Sequence, residues 1–238
     1  MGFLEGLAER QIELNDKTLE VKDPWKWAEE TFQALAYWHG YQTRRFRHYP
    51  IREIAVVSEL AALLHGLARS RSLYLECEKT FPEILDRLPA RVDALYRQKR
   101  VDIALAKNDY DHPRTTHVME VKVARDFGTV TRQALCQDLI RLRWLMTQSS
   151  TLAVRLLILT DQPLPKDWLT DSGRSVRSAQ RMGTDGPDFH IRRVLRALPC
   201  LPKRDGSGRV NLNRGPSVLL LEPIVSTPLI NCDVQPDC

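Results

Sequence analysis

Hydrophobic positions recur along this chain in two rhythms, one of 3.6 residues and one of 2, and the switches between them mark the elements. Residues 23–40, DPWKWAEETFQALAYWHG, carry Trp27, Phe32, Leu35 and Trp38 as packing residues of a helix. Asp23 is placed as its cap, Pro24 at its first turn and Gly40 as its stop. After the break at Pro50, IREIAVVSELAALLHGLARS predicts a second helix with Ile54, Val57, Leu60, Leu64 and Leu67 as one stripe. Strand character follows at 72–81 (SLYLECEKTF), 99–107 (KRVDIALAK) and 117–124. PEILDRLP reads as a turn or short helix between the first two, and NDYDHPRT as a polar loop closed by Pro113 between the last two. Residues 128–146 predict a long helix with Val130, Leu135, Leu139, Leu142 and Met146 inward. AVRLLILTD (153–161) is the near-continuous apolar run of a strand covered on both faces.

Helix, three strands, helix, strand is an α/β arrangement, a sheet backed by helices. Beyond Pro163 the pattern weakens: DSGRSVRSAQRMGTDGPD reads as a loop, FHIRRVLRAL as a short basic helix, SVLLLEPIV as a strand, and the stretch from about 226 as a poorly ordered tail. The chain thus divides into a helical N-terminal extension (1–50), a core (51–165) and a basic C-terminal region (166–238).

Composition adds little to that frame. A hydrophobic fraction of 43% and a charged fraction of 27% belong to an ordinary globular protein. No apolar run approaches the ~20 residues of a membrane span. MGFLEGLAER has no secretory pattern, and Gly6 breaks the myristoylation pattern, so the expectation is a cytoplasmic protein away from membranes. Cysteines 77, 136, 200, 232 and 238 show neither CxxC nor zinc spacing and read as free thiols.

Charge is more informative in its distribution than in its total of +5. Residues 166–215 hold eleven Lys or Arg against five acids, a surplus of +6 that includes Arg174, Arg177, Arg181, Arg192 and Arg193. A second basic patch, YQTRRFRHYP at 41–50, interleaves Arg44, Arg45 and Arg47 with aromatic residues, a mixture suited to phosphates and unstacked bases.

The chemistry concentrates in HVMEVKV, residues 117–123. Glu120 and Lys122 project from one face of a strand whose other residues, His117 apart, are apolar. Burying an acid and an amine is costly unless they serve each other, a metal or a substrate. Asp102, in RVDIAL, lies eighteen positions earlier on a strand able to pair antiparallel with this one, which would set the two carboxylates side by side. Their repulsion is relieved by a divalent cation or a shared proton, and an oxygen-only donor set favours Mg²⁺, with Mn²⁺ as the alternative. Such a grouping suits phosphodiester hydrolysis. The bland alternative is a half-exposed Glu120–Lys122 ion pair of little energetic value. Glu76 and Glu78 in LECEK read as surface charges, and the six histidines form no HxH or HExxH grouping. Neither GxSxG nor a P-loop is present.

Asp102 followed by Glu120-Val121-Lys122, in that order of elements, resembles the PD-(D/E)XK nuclease superfamily over residues 51–162. The resemblance implies a restriction-endonuclease-like core and metal-dependent cleavage of DNA, with roles in phage defence or, as the DNA-cutting subunit of a transposase, in mobile elements. It implies Glu59, Asp102 and Glu120 as metal ligands, with Glu53 as fallback for Glu59, and the Val121 carbonyl completing the shell. Lys122 would activate the attacking water, and Gln133 or Gln137 would be the helix residue that some branches add. The residue before Asp102 is Val rather than Pro, a position that varies across the superfamily. Expected partners are DNA and either a second copy of the chain or a larger nucleoprotein complex. The alternative in another class is a DNA-binding or assembly module that keeps the fold without cutting, and RNA stays open as substrate.

Overall fold

The computed structural model describes residues 23–45, 50–85, 96, 98–109, 112–169, 178–182, 186–197 and 215–225. It is a mixed α/β structure with one seven-stranded sheet. In chain order, a 3₁₀ turn (Lys26–Ala28) leads into α1 (Glu29–Arg45) and α2 (Glu53–Arg69). β1 (Leu73–Thr80), the short α3 (Phe81–Leu85), β2 (Arg100–Asp109) and β3 (His112–Ala124) follow. Next come α4 (Thr129–Gln148), β4 (Ala153–Thr160) and, after a second 3₁₀ turn, β5 (Gln180–Arg181), β6 (Asp188–Arg196) and β7 (Ser217–Pro223).

The spatial order is β1-β2-β3-β4-β7-β6-β5. β3 and β4 are parallel and joined through α4, as a parallel pair requires, and every other pairing is antiparallel. Alternation along the central strands sorts the core into two layers. Ile103, Leu105, Met119, Val121, Leu157, Leu159, Val218 and Leu220 pack beneath α1 and α2. Ala104, Val118, Leu156, Ile158, Leu219 and Leu221 pack against Leu135, Leu139 and Leu142 of α4. Among the described residues no helix is long and apolar enough to cross a membrane.

Three sequence expectations are corrected. Residues 188–196 are a strand, not a basic helix: β7 presents a row of backbone groups, and the period-2 alternation of Phe189 and Ile191 fits a pleated partner. The expected polar loop 108–115 is largely strand, with Asn108 opposite Pro113. Pro113 is tolerated because β3 begins its pairing with β4 only at His117. α1 runs through Gly40, which is buried beside His39, and ends at Arg45; packing outweighs a weak stop signal.

The first and last described segments meet on this sheet. α1 lies against β6 and β7, where Gln33 donates to the Arg196 carbonyl at 3.1 Å and Arg193 pairs with Glu29 at 3.2 Å. Trp25 packs edge-on against His117, 4.9 Å between centroids, and donates its indole N–H to the Ala153 carbonyl. Beneath them Arg155, 1% exposed, binds Asp23 at 2.8 Å and Glu222 at 3.1 Å, and Glu222 also pairs with Arg192. Removing the central cation leaves the Asp23 carboxylate without its ion-pair partner and takes one of two cations from Glu222. Arg155→Met is therefore expected to cost about 3–5 kcal/mol, read as a lower urea midpoint at unchanged slope.

Candidate active site at the open end of two strands

The β2–β3 ladder runs from Asp109 opposite His112 to Ile103 opposite Met119 and stops there. From that point β2 continues beside β1 alone, with Val101 opposite Lys79, while β3 continues beside β4. Two strands that part leave backbone donors to be satisfied by something else. Asp102 does this, its Oδ2 accepting the Val121 N–H at 2.6 Å. By alternation from Ala104 and Val118, Asp102 and Glu120 face the same layer, that of α4.

Lys122 projects two residues beyond Glu120 and gathers the cluster. Its Nζ lies 3.0 Å from Glu120 Oε1, 3.0 Å from Glu53 Oε1 and 3.7 Å from Asp138 Oδ2. Glu53 arrives from the other layer, at the start of α2, and Asp138 from α4. Arg141 pairs with Asp138 and lies 3.7 Å from Glu120 Oε1. Four carboxylates thus meet two cationic side chains.

The electrostatics follow. Burial, and then the Glu120 charge, push the Asp102 carboxyl up to about 7, against the opposing pull of the Val121 N–H and Lys122. For Lys122, burial favours the neutral amine, but Glu120 and Glu53 outweigh it and hold the ammonium above its ordinary range. Lys122 is therefore a proton-bearing cation at neutral pH, equipped to stabilise negative charge rather than to remove a proton.

Of the residues the sequence singles out, Asp102, Glu120, Val121 and Lys122 come together. Glu59 does not join them: among the described residues no hydrogen bond or ion pair links it to the cluster, and Glu53 is the α2 acid that reaches Lys122. The buried stripe of α2 is Val56, Val57, Leu60, Leu64 and Ala68. At 100° per residue Glu53 sits on its centre line and Glu59 about 120° away. Gln133 and Gln137 are exposed on α4, whereas Asp138 is 3% exposed. Asp138 was missed, though it falls between Leu135, Leu139 and Leu142 on the apolar stripe, where an acid is conspicuous.

The proposed phosphate-holding arginines fare differently. Arg181 pairs with Asp188, Arg192 with Glu222 and Arg193 with Glu29, so these three are partnered within the fold. Arg44 and Arg45 end α1, with Arg45 donating to the Tyr41 hydroxyl at 2.9 Å. Arg47, Arg174 and Arg177 lie outside the described residues.

The cluster can be weighed against a divalent cation on its own donors. Among the described residues no three His, Cys, Asp or Glu side chains stand together as an ion-holding group. The Lys122 ammonium instead fills the space between Glu53 and Glu120. The donor chemistry nonetheless fits a hard cation: the acids supply oxygen only, and they outnumber the cations. Comparison with models of known protein families, with curated proteins and with solved structures finds no match to this chain.

The raised Asp102 carboxyl fixes a pH signature. An unfolded Asp releases its proton near ~3.9, while the folded one keeps it to about 7. Across that window the folded chain binds the extra proton, so this group's contribution to stability falls as pH rises and levels off above it. Asp102→Asn, which keeps an acceptor for the Val121 N–H, is expected to remove this loss. Urea unfolding at pH 4.5 and 7.5 should show a smaller difference for the variant than for the wild type.

Proposed function

We propose that the chain is a metal-dependent nuclease that hydrolyses DNA phosphodiester bonds on a restriction-endonuclease-like core. One observation carries this reading: Asp102, Glu120 and Lys122 lie together where β2 and β3 part, with Glu53 reaching the same point from α2. The order α2, β1, β2, β3, α4, β4 supports it, since that is the sequence of elements in which the superfamily carries its motif.

Glu53, Asp102 and Glu120 would hold Mg²⁺ or Mn²⁺, with the Val121 carbonyl as a further donor. The ion, when bound, supplies a Lewis acid for the phosphate and acidifies a water. The chain's own residues do the rest. Asp102 is oriented by the Val121 N–H, so its position is tied to the backbone of the strand bearing Glu120. Lys122, beside Glu120 and Glu53, is placed to face the negative charge that grows on the phosphoryl oxygens. Arg44 and Arg45, exposed at the end of α1, would hold backbone phosphates, a contact that grips DNA without reading sequence.

A non-cleaving DNA-binding or assembly module is the second reading. It is favoured by the Lys122 bridge between Glu53 and Glu120, which partly neutralises the acids without an ion. Cleavage of plasmid DNA with Mg²⁺ or Mn²⁺ separates the two. Asp102→Ala and Lys122→Ala are each expected to lower the rate by about a hundredfold or more at unchanged DNA affinity. Glu53→Gln should fall with them, while Glu59→Gln stays near wild type. A wild-type protein that binds DNA but cuts neither DNA nor RNA with any divalent metal would establish the binding module instead.

A further inference from the structure

Asp138 has one oxygen committed and one to spare. Arg141, a turn later on α4, pairs with Oδ1. Oδ2 is buried without a hydrogen-bond partner, 3.7 Å from Lys122 Nζ. A buried carboxylate oxygen left unbonded is costly and rare enough to require a reason. Packing does not supply one: leucines take the neighbouring positions of the α4 stripe, and an apolar residue would fill this one. The oxygen is aimed at the amine of the proposed active site and stops about 1 Å beyond the length of a charge-assisted hydrogen bond.

Lys122 is held elsewhere, at 3.0 Å from both Glu53 and Glu120. Those two carboxylates are the ones a divalent cation needs, and an ammonium and a dication repel at the same oxygens. We propose that Asp138 is the positioning residue that takes over Lys122 when Glu53 and Glu120 turn to a divalent cation. The amine swings to Oδ2, which is already anchored through Arg141. It stays next to the reaction centre while it releases the metal-binding oxygens. This inference rests on the metal-dependent reading above and assigns Asp138 no direct contact with the ion.

Calorimetric titration of the full chain with Mn²⁺ tests it, in a double-mutant cycle of wild type, Asp138→Asn, Lys122→Ala and the double substitution. Asp138→Asn is expected to weaken Mn²⁺ binding about tenfold or more, the scale of outer-shell partners. In the Lys122→Ala background the same substitution should change it little, because no amine remains to be relocated. Equal weakening in both backgrounds would mean that Asp138 acts on the ion itself, and no weakening would leave it as a packing partner of Arg141; either result overturns the proposal. Should Asp138→Asn fail to fold, a Mn²⁺-bound crystal structure of the wild type decides. Lys122 Nζ is expected within hydrogen-bonding distance of Asp138 Oδ2, and an amine still on Glu120 overturns the role. A wild type that takes up no Mn²⁺ overturns the metal reading along with it. Mn²⁺ uptake without coupling between the two substitutions overturns the positioning role alone.

Discussion

The termination of the β2–β3 ladder at Ile103 and Met119 is the constraint on which the candidate site depends. A continuous sheet covered by helices on both faces separates its two layers, and a side chain on one cannot reach a side chain on the other. Where β2 and β3 part, that separation lapses. Glu53 on the α2 layer meets Lys122, which belongs by alternation to the α4 layer. The Asp102–Val121 hydrogen bond closes the gap on the backbone side and fixes the relation between the two strands. Polar groups gather here because this is where the sheet's own hydrogen bonding leaves room for them.

Much of this was legible in the sequence. The apolar strands around Asp102 and around Glu120-Val121-Lys122, with a hairpin-length connection, are enough to bring those side chains onto one face. Glu53 was legible too: Val57, Leu60 and Leu64 already set the inward face of α2, and that face runs through Glu53, whereas resemblance pointed to Glu59. Asp138 could have been found as an acid inside a leucine stripe. The orientation of its two oxygens could not, because it depends on Arg141 and on where Lys122 ends, contacts between elements that no periodicity encodes.

The basic C-terminal region carries a different lesson. A run such as FHIRRVLR supports a helix or a strand, and the choice is made by β7, whose free edge it completes. The sheet then explains the arginines that charge counting assigned to a nucleic acid. Arg192 and Arg193 answer Glu222 and Glu29, residues distant in sequence that the α1–β6–β7 contact brings alongside. A surplus of positive charge along a sequence is thus a weaker guide to a ligand than the same surplus after the fold has paired what it can.

That distinction separates the two charged networks of the molecule. Around Arg155, two acids (Asp23 and Glu222) meet two guanidinium groups (Arg155 and Arg192), and the charges cancel. Such a network is balanced in charge, although the buried Arg155 Nε has no hydrogen-bond partner, and it ties the N-terminal segment to the sheet. Around Lys122, four acids meet two cations, one carboxyl is driven up to about 7 and one buried oxygen has no hydrogen-bond partner. A buried cluster kept for stability alone would be better replaced by apolar side chains of the same volume. The imbalance costs the fold stability and raises its attraction for positive charge by the same interaction. Both networks grow from the same strands, and only the unbalanced one opens where two of those strands separate.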